Sequence, residues 1–326
     1  MIVKRAGILF VMILFITTGC SKEVLNLGEP NIYPLTGLEA EDNMENRPVG
    51  VMVNNHPDAR PQTGLSKADI TFEILAEGNI TRFLSIFQSE QPEVVGPVRS
   101  AREYYFELAK GYDALYVYHG SAKKVEKLLQ ASGVDSINGA FHDDDKTLFK
   151  REDFRVAPHN SYLLFDAVYD QAEKEDFKIE SKVDPLNFLN EDDEIQGESA
   201  QTVSINYASS LVEFTYDETN ETYVRYNDNE QTVELADNTP IEVDNVFIVK
   251  MDHEVIDKEG RRAIDIESGG IGYLIQKGKV QEVEWENSNG RIIPVQEGEE
   301  IGFVKGKTWI NVVPTPYNIN EEITIN

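Results

Sequence analysis

The sequence predicts an α+β protein, with a mixed α/β domain over residues 47–198 followed by a mostly antiparallel, β-rich domain over residues 199–326. Two observations carry this. The first half alternates short apolar runs with stretches of helical periodicity, and the second half is built of short β-branched and aromatic runs separated by turn residues. A chain of 326 residues also exceeds what one hydrophobic core usually organises, which favours two domains.

The N-terminus has the parts of an export signal. Lys4 and Arg5 precede an apolar run from Ala6 to Ile16, and small residues lead to Cys20. The run is too short to span a bilayer, which takes about 20 apolar residues. Thr17-Thr18-Gly19-Cys20 resembles a bacterial lipobox, with Thr17 standing where that motif usually has Leu. Residues 1–19 are thus expected to be removed and Cys20 to receive a diacylglyceryl group. Two acyl chains anchor a protein stably where one does not. Residues 20–46, polar and acidic with Pro30 and Pro34, read as a flexible tether.

Strands are expected at Val49 to Val53, Ile70 to Leu75, Phe83 to Phe87 and Ala114 to Tyr118, each bounded by Asn, Gly or Pro. Ser100 and Glu103 have capping-box spacing ahead of Tyr104-Tyr105-Phe106, so a helix is expected from Ser100 to Lys110 with Gly111 as its stop. A second helix is expected from Ser121 to Gly133 and a third from near Asn160. Beyond the acidic stretch at Glu191 to Glu194, strands are expected at Val203 to Tyr207, Leu211 to Tyr216, Thr222 to Tyr226, Val246 to Lys250, Ile271 to Gln276, Val280 to Trp285 and Thr308 to Val313. This half suits a sandwich or barrel.

Cys20 is the only cysteine, so the body has no disulfide, thiol nucleophile or cysteine metal site. The formal charge of −28 sets the surface against nucleic acid, whose binding requires neutralised phosphates. It equally opposes adsorption to anionic lipid. Gly302 to Thr308 imitates a phosphate loop but has three residues between its glycines instead of four, and it leads into a strand. No Gly-x-Ser-x-Gly elbow or His-Glu-x-x-His pair is present. The acidic runs at His142 to Asp145 and Asp252 to Glu254 read as solvated loops, because neighbouring side chains rarely close on one ion. No metal and no cofactor is expected.

Scarce cations and imidazoles gather where strands end. Asn54, Asn55, His56 and Arg60 follow the first strand, His119 ends the fourth, and Arg99, Ser100 and Arg102 surround an expected helix N-terminus. His159 and Asn160 follow Pro158. Loop side chains and helix NH groups converge at such junctions, and a carboxylate, phosphate or sulfate would suit the guanidinium forks.

Asn54 to Leu65, Gly96 to Arg102, Tyr118-His119-Gly120-Ser121 and Ala157-Pro158-His159-Asn160 together resemble the YerB-like lipoproteins of Gram-positive bacteria, and Gly306 to Ile310 is similar to the end of that family's second domain. The resemblance implies a membrane-anchored protein of two consecutive domains without an assigned reaction. The expected function is therefore a lipid-anchored binding protein at the outer face of the membrane. Its anion or glycan site would lie in the first domain, with wall polymer or wall-synthesis proteins as partners. Two alternatives are a hydrolase acting on wall glycan or peptide, with His56 or His119 as general base, and a scaffold for membrane enzymes.

Overall fold

Strands from both halves of the sequence hydrogen-bond into one sheet. The structure, a computed structural model, describes residues 31–40 and 45–326, and residues 32–326 form one unit. The signal sequence, Cys20 and residues 21–30 and 41–44 of the expected tether lie outside the described residues, whereas residues 32–40 of that segment belong to this unit, with Leu35 buried in its core. Among these residues the large sheet has twelve strands. Its centre holds β1 (Val49–Asn54), β2 (Ile70–Glu77) and β3 (Ile80–Phe87), in the order β2-β3-β1. Beyond β1 lie Leu115–Tyr118 and then Ser136–Asn138, each parallel to its neighbour. On the far side of β2 comes Thr308–Pro314, from near the end of the chain, followed by Asn245–Met251, Gly270–Gln276, Lys279–Ser288 and Arg291–Gln296.

Thr308–Pro314 is parallel to both β2 and Asn245–Met251, whereas the pairs beyond it are antiparallel. Glu198–Ser199 also joins this sheet, against Lys279–Ser288, so hydrogen bonding runs across the border between the two halves. The chain is α+β, as the sequence predicts.

The period of two along a strand sorts side chains to the two faces. Val49, Val51 and Val53 face one core and Met52 the other. On the first face packs a six-stranded antiparallel sheet that includes Thr202–Asn206, Leu211–Asp217 and Thr222–Asn227, contributing Val203, Phe214 and Tyr223. On the second face packs α1 (Glu103–Gly111), which buries Tyr104, Tyr105, Phe106, Leu108 and Ala109. Full burial of a Phe or Leu side chain contributes about 1.5–3 kcal/mol, so this face alone holds the short helix in place. α2 (Lys123–Ser132) covers the same core through Leu129 and ends at Gly133, whose φ of +75° suits glycine.

Three expected helix starts are displaced, each because a side chain or strand partner is used elsewhere. Ser100 does not cap a helix. Its hydroxyl donates to the carbonyl of His119, the backbone around it is extended, and α1 begins at Glu103 behind Arg102. Ser121 donates to the Glu126 carboxylate, and α2 begins at Lys123. The third helix, α3 (Ala167–Lys174), starts well after Asn160, because Ser161–Leu164 is a strand held between Phe149–Arg151 and Val94–Val95. Gly111 belongs to α1 and does not stop it; a Cβ there would lie 2.3 Å from the backbone of Gly290, so glycine is required by close approach.

Candidate functional site

The extended segment Pro97–Ala101 ties the strand ends together. Arg99 N donates to Met52 O at 2.9 Å, Asn54 N to Pro97 O at 2.9 Å, His119 N to Arg99 O at 2.9 Å and Val98 N to Ser161 O at 2.7 Å. Because β1 and Leu115–Tyr118 are parallel, their carboxyl ends lie on one edge, and this segment fastens Asn54 and His119 there.

A cleft of about 280 Å³ opens beside it, lined by Asn54, His56, Glu77, Ile80, Arg82, Arg99, Ser100 and Arg102. Three guanidinium groups face a single carboxylate. Arg82 Nη2 lies 2.5 Å from Glu77 Oε2, and Arg102 pairs with the other oxygen of Glu77. Arg82 also donates to Ser100 O at 2.9 Å. Among the described residues no carboxylate lies within ion-pair distance of Arg99, and the buried Nε atoms of Arg99 and Arg102 have no hydrogen-bond partner. Burial, reinforced by the charge of Arg82, holds the pKa of Arg99 down to about 10, which still leaves it a cation at neutral pH.

The imidazoles lie close by. His56 and His159 have ring centroids 4.5 Å apart. Asn54 Oδ1 accepts from the backbone NH of His56 at 3.0 Å, which leaves its Nδ2 to donate to His159 Nδ1 at 2.9 Å. Neutral His159 therefore carries its proton on Nε2. Burial, then the charges of His56 and Arg99, push the pKa of His159 below the usual imidazole range. His56, Asp58 and His159 offer ligand atoms within 4.8 Å of one another. That set suits a divalent cation poorly, because the Asn54 amide puts a proton on His159 Nε2 and Arg99 adds positive charge.

The remaining predicted residues do other work. His119 Nδ1 contacts Ser161 Oγ at 2.6 Å, its Nε2 lies 3.8 Å from Asp143, and burial lowers its pKa. Arg60 turns away and pairs with Asp228 at 2.6 Å, lining a neighbouring cleft with Asn55. Asn55 is buried and donates to Thr81 Oγ1 at 2.8 Å and Glu73 Oε1 at 3.2 Å. Asn160 accepts from Arg151 at 2.6 Å. Sequence reasoning missed Arg82 and Glu77. The available signal was a charge placed inside an apolar strand, as in Ile80-Thr81-Arg82-Phe83-Leu84, which calls for a buried partner.

The N-terminal domain of a protein of unknown function, DUF3048, matches residues 35–178, and the corresponding C-terminal domain matches residues 202–310. The chain is 49% identical over 286 residues to the protein named "Putative lipoprotein YerB" of Bacillus subtilis (strain 168), covering 86% of each. The crystal structure of YerB protein from Bacillus subtilis superimposes with a TM-score of 0.83 at 46% identity, covering 90% of this chain and 99% of that one. The matched segments hold β1 to β3 and the arginine cleft in the first model and much of the β-rich half in the second. The chain belongs to the YerB-like lipoprotein family, whose two consecutive domains are those of DUF3048.

Proposed function

We propose that this lipoprotein is a binding protein at the outer face of the membrane, held by a diacylglyceryl group at Cys20, and that it takes an anionic group of wall polymer or of the wall-assembly machinery into the cleft of Arg82, Arg99 and Arg102. One observation carries the reading. In a chain with a formal charge of −28, Arg99 keeps a half-buried guanidinium without a carboxylate partner among the described residues, beside two arginines that share only Glu77. A desolvated cation is costly unless something compensates it, and a ligand anion would do so with charge-assisted hydrogen bonds. Asn54 and His56 supply further polar groups at the same cleft.

The site's geometry gives a hydrolytic role less support. Of its two candidate bases, His119 spends Nδ1 on the buried Ser161 and does not line the cleft, while His56 lines it but accepts from Asp58 N through Nδ1 at 3.2 Å. Calorimetry with phosphate-bearing wall polymer fragments tests the binding role. Arg99→Gln should weaken binding at least about tenfold, the effect of losing one charge-assisted hydrogen bond. Equal affinity in the folded variant would refute it.

A further inference from the structure

The arginine cleft has an apolar rim. Ile80 lines the cleft itself and is 36% exposed. It pairs with Glu77 across the β2–β3 turn, and Glu77 pairs on its other side with Arg261. Arg261 O in turn accepts from Ile256 N at 2.9 Å, and Ile256 is 52% exposed. Residues directly opposite one another in an antiparallel ladder project to the same face. The row Ile80, Glu77, Arg261, Ile256 therefore sets two exposed isoleucines on either side of the carboxylate that holds Arg82 and Arg102. The hairpin carrying Ile256 is fixed in place: Gly78 N donates to Gly260 O at 3.2 Å and Arg262 Nη2 to Gly78 O at 2.6 Å.

A simple inorganic anion would use the arginines and leave these isoleucines in water. Arg102, 7% exposed, also lines the cleft, and its buried Nε has no hydrogen-bond partner. Together these make a site with a cationic floor and an apolar lip.

Resting on the anion-binding role, we infer that the ligand is amphiphilic: a phosphate or similar oxyanion bearing an apolar chain. The head lies among Arg82, Arg99 and Arg102, and the chain runs out over Ile80, the isoleucine that lines the cleft. Such a group could be a lipid headgroup at the membrane or a soluble alkyl phosphate, and the chemistry at the cleft is the same for both.

The test uses the lipidated protein in nanodiscs of zwitterionic lipid, titrated calorimetrically with inorganic phosphate and with hexyl phosphate, empty nanodiscs serving as blank. Hexyl phosphate should bind about tenfold or more tightly than phosphate, as burial of a few methylenes implies. In Ile80→Ser that ratio should collapse towards one, while Arg99→Gln should weaken both ligands. Equal affinity of the two ligands for the unmodified protein overturns the amphiphile and leaves the anion site standing. Binding of neither overturns both. A ratio that survives Ile80→Ser overturns the assignment of the rim. Where the ratio behaves as expected, competition from phosphatidic acid in the nanodisc identifies a membrane lipid as the source, and its absence a soluble amphiphile.

Discussion

Glu73 of β2 and Arg225 of Thr222–Asn227 form an ion pair that is wholly inside the protein: Arg225 Nη2 lies 2.9 Å from Glu73 Oε2 and both side chains are essentially inaccessible. The pair joins the large sheet to the smaller one. Trp309 Nε1 donates to the same carboxylate at 3.1 Å, Thr81 Oγ1 donates to its other oxygen at 2.9 Å, and Arg225 Nη1 donates to Thr232 at 2.7 Å. The guanidinium also sits 4.7 Å from the Trp309 ring and 5.3 Å from that of Phe83. Held by these contacts, although the buried Arg225 Nε has no hydrogen-bond partner, the pair specifies how the two sheets dock more than it adds stability.

Arg225→Met should therefore cost about 3–5 kcal/mol, because it strands a buried carboxylate. Adding Glu73→Leu should restore much of the loss. Urea denaturation of the single and double variants measures both. A double variant as unstable as the single one would contradict the account.

Arg99→Gln should leave stability within about 0.5 kcal/mol of the parent or raise it, since a half-buried cation without a carboxylate partner is removed. Arg82→Met should be destabilising, because Arg82 is 4% exposed and holds both Glu77 and Ser100 O. Thermal melts of the two variants side by side give the comparison, and a larger loss in Arg99→Gln would be incompatible with it.

His253 predicts a pH dependence. Burial pushes its pKa down to about 4, while its Nδ1 meets the Met251 carbonyl at 2.9 Å. An unfolded histidine titrates near 6.5, so between roughly pH 6.5 and 4 the unfolded state binds more protons than the native one. The native state is then favoured above pH 6.5, and this contribution, at most about 3 kcal/mol, is lost as pH falls to 4. His253→Gln should show a shallower decline over that window in chemical denaturation. Parallel curves for the two proteins would remove His253 from the explanation.

Gly111→Ala should destabilise by about 1–3 kcal/mol, the range for forced overpacking, because the new Cβ meets the backbone of Gly290 instead of a movable side chain. Gly133→Ala, at a helix end with open space around it, should cost only the strain of its left-handed backbone. Denaturation midpoints should rank Gly111→Ala as the worse of the two.

The strands were legible wherever apolar residues run together. Val49 to Val53 and Phe83 to Phe87 lie within strands, buried on both faces. Helix starts were less legible, because a cap is decided by where a side chain finds its partner. Ser100 satisfies the spacing rule, yet its hydroxyl goes to His119 O, a partner contributed by another strand end. Asn54, His56 and Arg99, singled out beside strand ends, line one cleft, whereas Arg82 and Glu77, which line it from within strands, were not singled out. Arg60 and Asn55 belong to the same sequence run as His56 but turn to Asp228 and Glu73, both distant in the chain. No local pattern encodes such pairings.

The position of Thr308–Pro314 bears on how the protein is made. Synthesised from its N-terminus, the chain completes β2 long before the strand that flanks it exists, and until then β2 presents an open edge of apolar character. An unpaired edge of that kind invites other chains to add to it. Glu73, near the middle of the strand, gives the waiting edge a negative charge that opposes such additions until Trp309 and Arg225 arrive to receive it. One carboxylate thus guards the unfinished chain and later locks the finished one.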